Sequence, residues 1–296
     1  MRMLLAARLG VIAAVAAGLA ACGGSAPASG TAPATTPATA AAAPTTGTPA
    51  SSQAAATPTR TPTPTPTPAA PRSTSQVPSS ARPITGRLAG TDWTYIPTTR
   101  HVVALTFDAG ANADAVPSIL ATLRRDHVPA TFFLTGNFVR DFPAAARAIA
   151  AAGFRIGDHT ITHPHLTQLG DAAVRREILG GAQQIAAVTG ANPAPLFRFP
   201  YGDADARTIA LANQAGYVPV RWTVDTLGWE GTAGHISASV VASRVLSALK
   251  PGEIVLMHVG SNPDDHSTFD ADALPRVISE LRAHGYSFVT LDALVG

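Results

Sequence analysis

Residues 101–110 read HVVALTFDAG. The run His101–Phe107 is apolar and rich in β-branched side chains, the pattern of a strand buried on both faces, and it stops abruptly at an acid, Asp108. The same construction recurs along the chain. Further apolar runs lie at Ala130–Leu134, Phe154–Gly157, Leu196–Phe199, Tyr217–Val224, Glu253–Met257 and Ser287–Leu291. Helical spacing fills the intervals Ala113–Asp126, Phe142–Ala151, Asp171–Val188, Ala204–Ala215, Ser237–Leu249 and Ala271–His284. Strands alternating with helices of this length imply right-handed crossovers and a parallel sheet covered on its outside. The polar residues choose between an open sheet and a barrel. Asp108, His159, Arg198, Asp225 and His258 each stand at or just after the end of a different apolar run, and in a parallel barrel all those ends open onto one face. The expected fold is α/β, a distorted (β/α) barrel of about seven parallel strands.

The rest of the 296-residue chain differs in kind. Arg2 and Arg8 precede an apolar segment, Leu9–Ala21, that is short for a spanning helix and has the build of a secretory signal. Leu19, Ala20, Ala21 and Cys22 resemble a bacterial lipobox, which implies cleavage before Cys22 and its acylation. Residues 23–97 are dominated by Ala, Pro, Thr and Ser and read as a disordered linker, since they offer too little apolar surface to offset the entropy of ordering. Its Thr-Pro alternation favours polyproline II, so about 75 residues reach roughly 200 Å when stretched. Residues 98–296 form the folded domain. The expected location is therefore outside the cytoplasm, on the bacterial cell membrane through the lipid anchor alone, with reach into the cell wall. Cys22 is the only cysteine, so the folded domain has no disulfide and no thiolate ligand. A net charge of +2 and a single lysine, Lys250, exclude a polybasic nucleic-acid surface. A monomer is expected.

His159 and His163, in HTITH, are four residues apart, a spacing that on a helical turn directs two imidazoles to one divalent ion. By itself that pair is a weak signal; its company strengthens it. TFDAG at Thr106–Gly110, HTITH at His159–His163, RFPYG at Arg198–Gly202, DTLGW at Asp225–Trp229 and LMH at Leu256–His258 resemble, in order and spacing, the five motifs of the NodB-homology polysaccharide deacetylases, carbohydrate esterase family 4. ATFFLTG at Ala130–Gly136, HPHLTQL at His163–Leu169 and the GYSFVTL ending at Leu291 extend the resemblance over nearly all of residues 100–296.

The resemblance implies a hydrolase acting on carbon–nitrogen bonds other than peptide bonds, removing N-acetyl groups from peptidoglycan or, next, from chitin-like oligomers. It implies a metal on His159 and His163, and histidine with oxygen donors suits Zn first, with Co or Ni as alternatives. Asp108 would be the general base and His258 the general acid. Arg198 would tether Asp108, and Asp225 would partner His258. Tyr201 would serve the oxyanion through its backbone N–H, and Trp229 and Leu256 would wall the acetyl pocket.

Two departures qualify this pattern. The family's metal-binding aspartate, next after the base, is here Ala109, and alanine has no lone pair to donate. A substitute donor (Asp158, or Asn112 or Asp114), two histidines completed by water, or no metal and no catalysis all remain open; Asp158 could equally orient a histidine. Gly228 stands where many relatives have an acid beside the tryptophan. The alternative reading is a catalytically inactive lipoprotein that binds wall glycan on the same fold.

Overall fold

The computed structural model describes residues 82–296; the expected signal segment with Cys22, and the linker as far as residue 81, lie outside the described residues. Among the described residues eight parallel strands are present: β1 (Val102–Ala109), β2 (Ala130–Leu134), β3 (Arg155–Asp158), β4 (Leu196–Phe197), β5 (Val218–Pro219), β6 (Val224–Asp225), β7 (Glu253–His258) and β8 (Ser287–Phe288). Eight helices accompany them: α1 (Val116–Arg125), α2 (Gly136–Asp141), α3 (Pro143–Ala151), α4 (Asp171–Thr189), α5 (Ala206–Gln214), α6 (Ala238–Ser247), α7 (Phe269–Ala283) and α8 (Asp292–Val295). The sheet runs β5-β4-β3-β2-β1-β7-β6, a curled half-barrel of seven strands, with β8 paired to the start of β1.

β1 is buried along its whole length, and the alternation of its side chains explains why the apolar run is continuous. Val103, Leu105, Phe107 and Ala109 join the larger core layer, packed with residues of α1, α3, α6 and α7. Ala104 belongs to a second layer with Phe133, Leu196, Val218 and Ile254. Thr106 and Asp108 share the parity of Ala104 and meet the guanidinium of Arg198. One strand thus supplies the outer core with its odd residues and the polar site with its even ones.

The structure departs from the expected elements at three places. The single run Tyr217–Val224 divides into β5 and β6: Val220 N still donates to Phe197 O of β4 at 2.8 Å, but the Arg221 N–H turns away and donates to Trp93 O at 2.7 Å. Trp93 bridges Val220 and Tyr95 bridges Glu253, so residues 93–95 lie between β5 and β7. The linker therefore ends earlier than residue 97: Ile84, Leu88, Trp93 and Ile96 pack into the second core layer and fix that segment. Finally, α2 follows β2 directly, its first turn capped by Thr135 Oγ1, which accepts from Phe138 N at 3.0 Å.

One group in the sheet is poorly accommodated. Glu253 is fully buried and neither carboxylate oxygen has a hydrogen-bond partner; burial pushes its carboxyl up to about 8, against a smaller opposing pull from the Lys250 backbone and charge. A carboxyl whose folded pKa is raised contributes most at low pH, so stability should fall as pH rises from about 4.5 to about 8. The variant Glu253→Gln should flatten that slope and raise Tm at pH 8 by several degrees, measured by calorimetry across pH. A steeper slope or a lower Tm at pH 8 would show that the carboxylate is stabilised by something other than its proton.

Candidate active site

The site is assembled around Arg198, which is fully buried. Its Nη1 donates to Asp108 Oδ1 at 2.7 Å and to Thr106 Oγ1 at 2.9 Å, while Nε donates to Val220 O at 3.0 Å and Nη2 to Arg221 O at 2.9 Å. The guanidinium lies 4.2 Å over the Phe133 ring. Four directed donors and a stacked face leave the side chain one position. Burial pushes the Asp108 carboxyl up, but the charge of Arg198, with smaller help from His159 and His258, overcomes it and holds Asp108 below the ordinary aspartate range.

His159 follows β3 and is buried. Its Nδ1 donates to Arg198 O at 2.8 Å, the only role open to a ring nitrogen facing a carbonyl. The neutral ring then turns the Nε2 lone pair toward Asp108 Oδ2, 3.4 Å away. Two acceptors facing each other at that distance call for a cation or a proton between them. His163 lies edge-on to His159 at 4.7 Å between ring centroids. Burial pushes His163 down to about 3 and lowers His159 as well, so both rings are neutral, the form that ligates metal. The spacing is not met by a helical turn, as the sequence led one to expect. It is met by a loop in which Thr160 and His163 take φ of 71° and 60°, held by Glu177 of α4 through the N–H groups of Ile161 and Thr162.

These features fit a divalent ion held by two imidazoles beside Asp108, and among the described residues neither Ala109 nor its candidate substitutes supply a third donor. Among the described residues no cluster of three or more His, Cys, Asp or Glu side chains has metal-site geometry. Ala109 is buried in the outer core layer. Asp158 also turns away: its Oδ1 accepts from Thr160 N at 3.2 Å and crowds Gly181 of α4, and burial keeps its carboxyl well above the usual range. Asn112 and Asp114 are spent on Ser261, tying the loop after β1 to the loop after β7.

The cleft of about 560 Å³ is lined by Asp108, His159, His163, Tyr201, Asp225, Trp229, Leu256 and His258, so the structure brings together the expected site residues apart from Arg198, which lies beneath, and Asp158. Tyr201 and Trp229 are more than half and half exposed, at 57% and 50%. Tyr201 is held in a left-handed turn, φ 60°, its ring stacked on His165 at 4.1 Å. Trp229 meets His258 edge-on at 6.4 Å. Sequence reasoning missed Thr135, Asn137, Thr162 and Trp222, which also line the cleft. It also missed Asp270 of α7, whose Oδ2 accepts from the His258 backbone N–H at 2.8 Å and stands 3.6 Å from His258 Nδ1. Asp225 was expected in that place, but its Oδ1 accepts from Leu227 N at 2.9 Å and Asp270 is the acid that forms an ion pair with His258. The sequence offered no signal for Asp270 beyond the unusual Gly228.

Residues 95–220 match the family model described as polysaccharide deacetylase. The chain is 34% identical over 198 residues to a peptidoglycan-N-acetylglucosamine deacetylase of Bacillus cereus, spanning 67% of this chain and 70% of the relative. It is 32% identical to a chitooligosaccharide deacetylase of Sinorhizobium fredii, over 62% of this chain and 87% of that protein. Among solved structures it resembles a carbohydrate esterase family 4 pseudoenzyme from Bacillus anthracis, with a TM-score of 0.62, 28% identity and 68% coverage of each chain. Fold, cleft and relatives agree: this chain belongs to the polysaccharide deacetylases, hydrolases of carbon–nitrogen bonds other than peptide bonds that are generally metal-dependent.

Proposed function

We propose that this chain is an exported, lipid-anchored deacetylase that removes acetyl groups from N-acetylated sugars of peptidoglycan, with chitin-like oligomers as the second substrate class. The observation that carries the reading is the grouping of an Arg198-held carboxylate, two neutral imidazoles and a third histidine of opposite protonation preference within one cleft. The cysteine and the Thr-Pro tether support wall access.

A divalent ion, Zn first among Zn, Co and Ni, would be held by His159 and His163 with water completing its shell; when bound it supplies polarisation of the amide carbonyl and acidity of the attacking water. Asp108 accepts that water's proton, and its ionised state at neutral pH follows from Arg198. The Tyr201 backbone N–H serves the oxyanion. His258, whose imidazolium is favoured despite burial by Asp270, Asp108 and Asp225, donates its proton to the departing amine as the amine's bond to the acyl carbon breaks. Opposite shifts on Asp108 and His258 separate base from acid. Trp229 and Leu256 wall the acetyl group, and the exposed faces of Tyr201 and Trp229 suit a sugar ring.

Acetate released from N-acetylglucosamine oligomers and from peptidoglycan, assayed with added Zn, decides the reading. Turnover is expected to stop with chelator and to fall by at least about 100-fold in Asp108→Asn. Turnover indifferent to chelation would remove the metal from the mechanism. No acetate from any glycan with Zn, Co or Ni would favour the inactive glycan-binding reading, which Ala109 and the resemblance to a pseudoenzyme keep in view.

Metal content gives a second, activity-independent result. The wild-type domain should bind one Zn by equilibrium dialysis with elemental analysis, and His159→Ala or His163→Ala should weaken binding by at least about 10-fold. Equal binding in all three proteins would place the ion elsewhere.

A further inference from the structure

The acid histidine has a carboxylate partner that arrives from an unexpected element. His258 Nδ1 is buried and makes no hydrogen bond. Asp270, in the first turn of α7 and 3% exposed, is the acid beside it: Oδ2 lies 3.6 Å from Nδ1 and accepts the His258 backbone N–H at 2.8 Å. The other oxygen, Oδ1, accepts from Thr226 Oγ1 at 2.6 Å. Thr226 in turn lies in the same short segment as Asp225 and Gly228, so one carboxylate joins β7, the loop after β6, and α7.

Gly228 explains how the carboxylate fits. A Cβ on Gly228 would approach Asp270 Oδ2 to 2.8 Å and collide more severely with Oδ1. The carboxylate of Asp270 therefore occupies the volume that any side chain at 228 would need. Gly228 is not in the left-handed region, so its backbone makes no special demand for glycine; what requires glycine here is the neighbouring carboxylate. Asp225, the acid of the DTLGW segment, instead turns one oxygen to Leu227 N.

Resting on the deacetylase reading above, we propose that Asp270 is the positioning residue for the acid His258 in this chain, and that Gly228 and Asp270 form an interdependent pair in which the acid beside Trp229 has been moved from the loop after β6 to α7. Asp270 acts through His258 and touches no substrate. It fixes the ring by its link to the His258 backbone and favours the imidazolium by its charge. The other charged groups facing His258 are Asp225 from β6 and Asp108 from β1, with His159 and His163 across the cleft; burial of the ring opposes all three carboxylates, and Asp270 is the largest contributor against it.

The experiment is an NMR titration of the His258 imidazole in the full domain with labelled histidine, assigned with His258→Gln. Asp270→Asn should lower the His258 pKa by about one unit or more, and Asp225→Asn by less. The basic limb of kcat/KM for acetate release should move to lower pH by the same amount. Because Asn offers one acceptor oxygen where Thr226 and His258 need two, folding is checked by calorimetry, and a relocated pair provides the second reading. Gly228→Asp alone should destabilise through the collision, whereas Gly228→Asp with Asp270→Ser should regain stability and return the His258 pKa toward the wild-type value. A His258 pKa that follows Asp225 and ignores Asp270 would overturn the proposal. A folded double variant with no recovery in pKa would also overturn it. Absence of acetate release in every protein would count against the deacetylase reading, and the imidazole titration would still decide the role of Asp270.

Discussion

The ion pair between Arg198 and Asp108 is the constraint on which the rest of the site depends. A guanidinium with no solvent exposure is costly unless every donor finds an acceptor. Here the acceptors come from four places: the end of β1, the Thr106 hydroxyl, and the carbonyls of Val220 and Arg221. That requirement draws the irregular chain between β5 and β6 against the sheet, and it fixes the Arg198 carbonyl to which His159 donates. One side chain thus sets the charge of Asp108, and its backbone sets the tautomer of the neighbouring imidazole. Removing the guanidinium would leave Asp108 with burial as its dominant influence, and the carboxyl would shift toward the neutral form.

Around that pair the environment shifts the titratable groups in opposite directions. Asp108 sits against a permanent cation and is shifted toward the ionised form; His258 sits against carboxylates and is shifted toward the imidazolium; His159, although Asp108 stands 3.4 Å away, and His163 are held neutral chiefly by burial. Burial and neighbouring charge thus shift the histidines of one cleft in opposite directions, for reasons that can be named. Ala109 changes this arrangement less than its position suggests. It sits in the outer core layer while Asp158 faces α4, so His159 and His163 remain as the neutral donors beside Asp108. An ion held by two imidazoles would bind less tightly than one with three protein ligands.

Much of this was legible in the sequence because it rests on local pattern. The unbroken apolar run of β1 ending at Asp108 announced a doubly buried strand and the face of the sheet where polar residues gather, and the other strand ends followed. What could not be read depended on contacts distant in sequence. The division of Tyr217–Val224 needs Trp93, more than a hundred residues earlier, to take the Arg221 N–H. The packing of residues 84–96 depends on a few apolar side chains in a segment whose composition otherwise reads as linker. The pairing of His258 with Asp270 was hidden because α7 places its first turn beside β7 for reasons of packing, while a motif reading looks for the partner in the segment that usually carries it. The helical turn expected for HTITH was wrong for a related reason: Glu177 and the left-handed residues Thr160 and His163 shape that loop, and four-residue spacing does not reveal them.

The claim at the centre is that Asp108 is an ionised carboxylate in a buried site because Arg198 keeps it so. Carboxyl-carbon NMR of aspartate-labelled protein, with the Asp108 signal assigned by Asp108→Asn, measures this directly across pH. With Arg198 in place, the Asp108 signal is expected to titrate with a midpoint below that of an ordinary aspartate. A midpoint at or above about pH 6, the direction in which burial alone drives a carboxyl, would contradict it.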